Sequence, residues 1–442
     1  MFDYNNLPPA DSCHMSKATK VTIWDSAHAI TTNISNTNNH NGKKTETRFY
    51  CLTLCIVSAF AIGLCFGVLG PFYYASSTKE TTITPANLNT AREIEGIFVN
   101  HSFSTQNLSS VSFINNSSQR DLVYEDIYWS DYVESLLPPG FTRRQADEWN
   151  RYVRKGAVAI KLEKGCGRMQ NRLVTFADGR RACVRYRQNT DQIQGELFSF
   201  YLSQILNLKN LVPSAVGVVD VQLPIWTRLS NEIASAQWSS QRPVVLTQFI
   251  PDLDVGSIPK LVRPAESDHL NKLDIREQNL QKSEIIELAQ WSDLIIFDYL
   301  TANLDRVVNN LYNHQWNSNI MEAPAHNLAK NSQTNLLVFL DNESGLLHGY
   351  RLLEKYEAYH GLLLDNLCIF RRSTAQAIAT LRREGNVGQL LRAMFERRNP
   401  ERIKDVLPTI PEKSVKILNA RIRRVHEQIL KCQGLFKSSD AE

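Results

Sequence analysis

The chain has 442 residues, 43% of them hydrophobic and 21% charged, a make-up that excludes a disordered, collagenous or coiled-coil protein. Length alone suggests about three domains. The 49 basic and 45 acidic residues leave a net charge of +4, which gives no reason to expect nucleic-acid binding, whose signature is a concentrated basic face.

Those averages conceal one uneven segment. Residues 1–48 are rich in Asn, Thr and Ser and read as a disordered tail. Residues 49–75 then run for 27 positions without a charge, more than the roughly 20 apolar residues a spanning helix needs. Tyr50, Tyr73 and Tyr74 stand near the ends of the run, as interfacial aromatics do. The run is too long, and too far from Met1, for a cleaved signal peptide. Lys43, Lys44 and Arg48 precede it, so the positive-inside rule puts the tail in the cytosol and the remainder in the lumen. The expectation is a type II single-pass protein held in the membrane by one helix.

Residues 76–120 read as a polar lumenal stem, with glycosylation sequons at Asn100, Asn107, Asn115 and Asn116. A sequon at Asn33 falls in the tail and is expected to stay bare. Of the eight cysteines, Cys13 is cytosolic and Cys51, Cys55 and Cys65 belong to the span or its edge. Cys166, Cys183, Cys368 and Cys432 are lumenal, and in an oxidising compartment four cysteines permit three pairings. Their spacings match no zinc module, so disulfide chemistry is expected rather than a metal site.

The remaining residues, 121–442, are enough for a two-lobed domain, divided here at 121–250 and 251–442. The first part reads as strands at residues 157–161 (AVAIK), 172–176 (RLVTF) and 181–186 (RACVRY), with Asp178-Gly179 as a hairpin signal. A helix over residues 195–208 follows, its apolar residues at three- and four-residue spacing. Residues 244–250 (VVLTQFI) form another strand, closed by Pro251. The pattern then turns helical at residues 283–300, 373–383 and 414–431. A β-rich first half holding one helix, then a helical second half, is the order of an α+β, bilobal protein-kinase-like fold.

Two motifs carry chemistry in that order. Asp305 and Asn310 have the spacing of a kinase catalytic loop, in which the Asp orients the acceptor hydroxyl and the Asn holds a metal on the phosphates. The apolar run LLVFLDNE delivers Asp341 at a strand end, where kinases place a metal-binding Asp. Gly165-Cys166-Gly167 is a glycine turn between two strands whose backbone N–H groups suit a phosphate. Lys161 lies in a literal VAIK, but on the strand before the glycine turn rather than after it, so it reads as a solvated edge residue. The strand after the turn offers Arg185, and Glu196 stands eleven residues on, at the opening of the next helix. An Arg185–Glu196 ion pair would replace the Lys–Glu pair of kinases, with a different fork to the phosphates. Asp252-Leu253-Asp254 spells the DxD of many Golgi glycosyltransferases, but it follows the inter-lobe strand and reads as a turn or hinge.

The stretches GRMQNRLVTFADGRRACVRY, QIQGELFSFYLSQIL and QWSDLIIFDYLTANLDR, with the Asp341-Asn342-Glu343 triplet, resemble the four-jointed family of type II Golgi kinases across most of residues 121–442. A looser similarity runs to the secretory-pathway kinases that include the Golgi casein kinase. The resemblance implies transfer of the ATP γ-phosphoryl group to Ser or Thr of extracellular cadherin repeats of the Fat and Dachsous type, in the service of planar polarity and growth signalling. It implies Mn²⁺ or Mg²⁺ as cofactor. By motif match it implies Asp305 as the base, Asp341 as metal ligand, Asn310 as a second ligand, and Arg185 with Glu196 as the nucleotide pair. Glu343 belongs to the triplet without an assigned role. Cys368 and Cys432 resemble a pair that staples the second lobe of related kinases.

Departures from the common kinase pattern are Arg185 in place of Lys and the lack of Asp-Phe-Gly and Ala-Pro-Glu motifs. The polar stretch 313–334, between the two Asp motifs, reads as an exposed insertion. Asn342 opens a formal sequon inside the proposed site and is expected to be unmodified. A non-catalytic pseudokinase-like module and a glycosyltransferase using Asp252 and Asp254 are the alternatives; intact Asp305 and Asp341 weigh against the first.

Overall fold

The structure is a computed structural model and describes residues 122–263 and 270–437. The expected tail, span and stem, with Asn100, Asn107, Asn115 and Asn116, lie outside the described residues. Among the described residues no helix is long and apolar enough to cross a membrane.

Two short strands, β1 (Val123–Tyr124) and β2 (Tyr128–Trp129), and helix α1 (Asp131–Leu136) open the domain. Helix α2 (Arg143–Lys155) starts on a capping box: the Thr142 hydroxyl accepts from the Gln145 backbone N–H, and the Gln145 side chain accepts from that of Thr142. It buries Trp149 and Val153, and the Trp149 indole donates to the Leu246 carbonyl at 2.9 Å. Charged residues dominate this segment and its buried face is narrow, so it carries no helix signal in the sequence.

Five antiparallel strands follow: β3 (Ala159–Lys164), β4 (Arg172–Phe176), β5 (Arg181–Tyr186), β6 (Ser214–Val218) and β7 (Pro243–Gln248). Their order across the sheet is β3-β4-β5-β7-β6. Gly179 takes a left-handed φ of 85° in the β4–β5 turn, as the Asp-Gly signal requires. The first strand lies slightly later than AVAIK indicates. Lys161 sits on this edge strand, exposed and ion-paired with Glu163 at 2.9 Å, as expected of a solvated residue.

Helix α3 (Thr190–Ile205) separates β5 from β6, and α4 (Ser230–Ser235) precedes β7. Asn189 caps α3 by accepting from the Asp191 N–H, so the helix begins five residues before the expected Gly195 and Glu196 lies inside it rather than at its opening.

The second half contains β8 (Asp254–Ser257), α5 (Lys272–Glu277), α6 (Lys282–Thr301), α7 (Val308–His314), β9 (Pro324–Asn331) and β10 (Leu336–Phe339). It continues with α8 (Leu347–Arg351), α9 (Leu353–Asp365), α10 (Arg372–Glu384), α11 (Val387–Arg398), α12 (Glu401–Lys404) and α13 (Glu412–Lys437). Strands β10, β9 and β8 form a small antiparallel sheet. This corrects the exposed insertion expected over 313–334: β9 is the middle strand, with Ala325, Leu328 and Ala329 buried. Polar His326, Asn327 and Lys330 break its apolar run, so the segment has no strand signature.

Two large apolar cores and a small third cluster, Val212, Ala329 and Val338, hold these parts. Trp149, Phe176, Val184, Trp226 and Leu246 pack beneath the five-stranded sheet. The larger core surrounds α6, with Trp291, Phe297 and Leu300 from that helix and Leu418 and Ile422 from α13. Each such buried side chain contributes about 1.5–3 kcal/mol. Leu197, Phe198 and Leu202 of α3 belong to the larger core, so this helix of the first half is anchored to the second. Disulfides join Cys368 to Cys432, the pairing expected from the family, and Cys166 to Cys183, which the sequence left open.

Candidate active site

A cavity of about 330 Å³ lies between the five-stranded sheet and the end of β10. Gly167, Arg185, Glu196 and Asp341 give its polar side; Val184, Val212 and Phe249 are among its apolar lining. The glycine turn between β3 and β4 sits at its rim. Cys166 and Gly167 take left-handed φ angles of 61° and 86°, and a Cβ on Gly167 would meet nothing within 4 Å, so its backbone is open to a ligand. Gly165 does not line the cavity; it packs against Leu173. The Cys166–Cys183 bridge fastens the turn to β5, and the Asn171 amide donates to the Cys166 carbonyl at 2.7 Å.

Arg185 projects from β5 into a cluster of carboxylates. Its guanidinium donates to Glu196 at 2.6 Å, and it lies 3.4 Å from Asp341 and 3.2 Å from Glu343. Burial opposes its charge, but Glu196, Asp341 and Glu343 outweigh burial and raise its pKa. Burial raises the Glu196 pKa, and Asp341 and Glu343 add to the effect against the pull of Arg185. Glu196 also accepts the Asn342 backbone N–H at 2.6 Å, which ties α3 to the strand end that carries Asp341. Asp341 holds a left-handed φ of 50°, an unfavourable setting for a side-chain-bearing residue that turns its carboxylate back to the cleft.

Glu343, which the sequence left without a role, is fully buried among three arginines: Arg187 at 2.7 Å, Arg185 at 3.2 Å and Arg168 at 3.2 Å. Arg187 is itself buried and donates to Asn171 at 2.7 Å, so Glu343 is connected through it to the glycine turn. Sequence reasoning missed Arg168 and Arg187. The available signal was that Arg187 stands two positions after Arg185, just past the end of β5, where a chain that stays extended returns side chains to the same face.

Asp305 lies in the loop between α6 and α7, half-buried, with its backbone N–H donated to Asn303 at 3.0 Å. It does not pair with Arg306. Arg306 is fully buried and turns the other way, onto Asp298, while donating to the Leu340 carbonyl at 3.1 Å, the Asn327 carbonyl at 3.3 Å and the Asn342 side chain. Arg306 thereby latches the Asp305 loop to the segment that carries Asp341. Burial pushes the Asp298 carboxyl up to about 7 against the attraction of Arg306. Asn310 is buried, and its amide donates to the Ile320 carbonyl at 3.3 Å; neither it nor Asp305 lines the cavity. Asn342 is buried and donates to the Phe339 carbonyl at 3.2 Å, which leaves no room at its amide for a glycan.

Asp252 lies in a left-handed turn with φ of 55°, and Asp252 and Asp254 are both exposed. Among the described residues no group of three or more His, Cys, Asp or Glu side chains is placed to share a metal. Asp341 Oδ1 is buried at the cleft with no hydrogen bond and a 3.4 Å ion pair to Arg185, so its carboxylate suits a cation held jointly with a polyphosphate.

A sheet lobe above a helical lobe, with a strand cation paired to a helix glutamate and an Asp at the following strand end, defines a protein-kinase-like α+β protein. Residues 144–435 match the Four-jointed box protein middle domain. The chain belongs to the Four-jointed box family. A Drosophila melanogaster protein named extracellular serine/threonine protein kinase four-jointed is 52% identical over 363 residues, covering 72% of this chain and 62% of that protein. Four-jointed box protein 1 of Xiphophorus maculatus is 40% identical over 314 residues, covering 71% of this chain and 72% of the relative. The Homo sapiens protein of that name is 37% identical over 321 residues, with the same coverage. Among solved structures, the Golgi casein kinase superposes with a TM-score of 0.45 at 13% identity, over 68% of this chain and 77% of that one.

Proposed function

We propose that this chain is a secretory-pathway protein kinase that transfers the ATP γ-phosphoryl group to Ser or Thr of extracellular cadherin repeats of the Fat and Dachsous type. The observation that carries this reading is the Arg185–Glu196–Asp341 group at the cleft, with the Asp305 loop latched beside it through Arg306. The names of the relatives support the activity. The charge-free run at residues 49–75 supports a type II Golgi membrane protein with its catalytic domain in the lumen.

Phosphoryl transfer needs positioning and charge neutralisation more than covalent help. Arg185 is held by three carboxylates in the orientation that meets the phosphates from the sheet side, while the glycine turn offers backbone donors at Gly167. Asp305 aligns the acceptor hydroxyl and takes its proton. Asp341 would hold Mn²⁺ or Mg²⁺, which supplies charge neutralisation on the transferring group. Asn310 serves as a second ligand only if its amide turns from Ile320.

The test uses the full chain purified in detergent, radiolabelled ATP, either metal, and purified cadherin repeats, with sugar nucleotides in parallel. Asp341→Ala is expected to lower phosphate incorporation on the order of a hundredfold or more with an unchanged melting temperature. Undiminished incorporation by that variant, or transfer from a sugar nucleotide instead, overturns the reading.

A further inference from the structure

A second cavity, of about 730 Å³, opens between α2 and α11, and none of its lining residues belongs to the nucleotide cleft. Six cations line it, Arg143, Arg151, Arg154, Lys155, Arg397 and Arg398, against the single acid Asp147. Asp147 is already committed to an ion pair with Arg398. The other contacts of this group go to backbone carbonyls rather than acids: Arg143 donates to Gln204 at 3.2 Å, Arg154 to Arg398 at 3.3 Å and Arg397 to Ala393 at 3.3 Å. Arg151 and Lys155 are exposed, with no ion-pair partner among the described residues. Five positive charges therefore have no acid to offset them.

Burial, joined by the charges of Arg143 and Arg397, holds the Arg398 guanidinium below its usual range despite Asp147. One Arg398 nitrogen, Nη1, is buried without a hydrogen-bond partner. An anion entering the cavity offsets the charges of Arg143 and Arg397 that press on Arg398. Its shape narrows the choice of anion. The α2 cations from position 143 to 155 extend along ~18 Å of helix, which suits repeated charges on a chain better than one compact phosphate. The apolar residues Ile205 and Leu390 also line the cavity and complement the C–H faces of sugar rings.

We propose that this cavity binds a linear sulfated polysaccharide, with its sulfates seated on the cations of α2 and α11. The choice of polysaccharide over nucleic acid rests on the lumenal placement proposed above; the binding itself requires no phosphotransfer. The test measures binding of a fluorescent heparin octasaccharide to the full chain in detergent, across a salt series. Unlabelled desulfated octasaccharide, inositol hexakisphosphate and single-stranded DNA serve as competitors. Arg151→Glu with Lys155→Glu is expected to weaken heparin binding at least about tenfold and flatten its salt dependence. Arg382→Glu with Arg383→Glu, an equal charge change on exposed α10 residues, is expected to alter it less than about twofold. ATP binding and melting temperature should hold in both.

Equal losses in the two pairs would show attraction to net charge alone and overturn the site. Competition by inositol hexakisphosphate or DNA as strong as by heparin overturns the sulfated-chain assignment, as does failure of heparin to bind. Cadherin phosphorylation measured on the same preparations separates these outcomes from failure of the kinase reading, and glycan removal from Asn100, Asn107, Asn115 and Asn116 checks the lumenal placement independently.

Discussion

Arg306 is the residue on which the site's geometry turns. It is fully buried, pairs with buried Asp298, and bonds both the Asn342 side chain and the Leu340 carbonyl. A surface ion pair contributes little, but removing one member of a buried pair strands the other charge. Arg306→Ala is therefore expected to destabilise the domain by about 3–5 kcal/mol, read from urea denaturation, and to lower kinase activity further than the loss of folded protein accounts for. Activity that tracks the folded fraction alone would remove its positioning role. Arg185, Glu196 and Asp341, which the structure brings together at one cleft, could be picked out because each stands at a motif distance from a neighbour in sequence; Asp305 has such a spacing too but lies outside that cavity. Arg306 was not: its bonded partner Asn342 lies 36 positions away, and no local pattern reports a contact made by chain return. Glu343 is harder still, since its Arg168 and Arg187 partners come from the other lobe.

Helix α3 illustrates how tertiary packing overrides local preference. Gly195 is a poor interior helix residue, costing about 1 kcal/mol relative to Ala, yet it lies inside α3. The reason for glycine is external. A Cβ at position 195 would stand 2.6 Å from the Glu343 carbonyl oxygen and 2.8 Å from that of Gly345. The helix passes so close to the Asp341 segment that only a hydrogen fits. Gly195→Ala thus gains about 1 kcal/mol of helix propensity and loses more to the clash, which pushes α3 away and separates Glu196 from Arg185. Because displacement by an ångström at a catalytic group can cost a hundredfold, the Kd for ATP is expected to rise at least about tenfold in a fluorescent-nucleotide titration. Unchanged affinity would mean that the segment yields freely. Strand β9 failed to register for a related reason: its burial comes from two flanking strands and not from its own composition.

The described domain divides its labour chiefly between two cores; α3 is rooted in the larger one, which also takes Val216, Val218 and Val245 from the sheet, and Glu196 ties the helix to β5 through Arg185. The bilobal order was visible in the alternation of strand-rich and helical sequence, because both cores are long-range sums of local periodicity. The balanced net charge was a poor guide: it averages away the six-cation wall of the α2–α11 cavity. The Cys166–Cys183 bridge gives this architecture a geographical consequence. It spans 17 positions and pins the glycine turn to the strand that bears Arg185, and closing a loop of that size is worth about 3 kcal/mol. A chain prepared under reducing conditions, or carrying Cys183→Ser, is expected to melt at a lower temperature and bind ATP more weakly than the oxidised chain; equal affinity in both states would separate the bridge from the site. Under the lumenal placement proposed above, the staple closes only in an oxidising compartment, so the glycine turn is expected to become fixed to β5 there and not before.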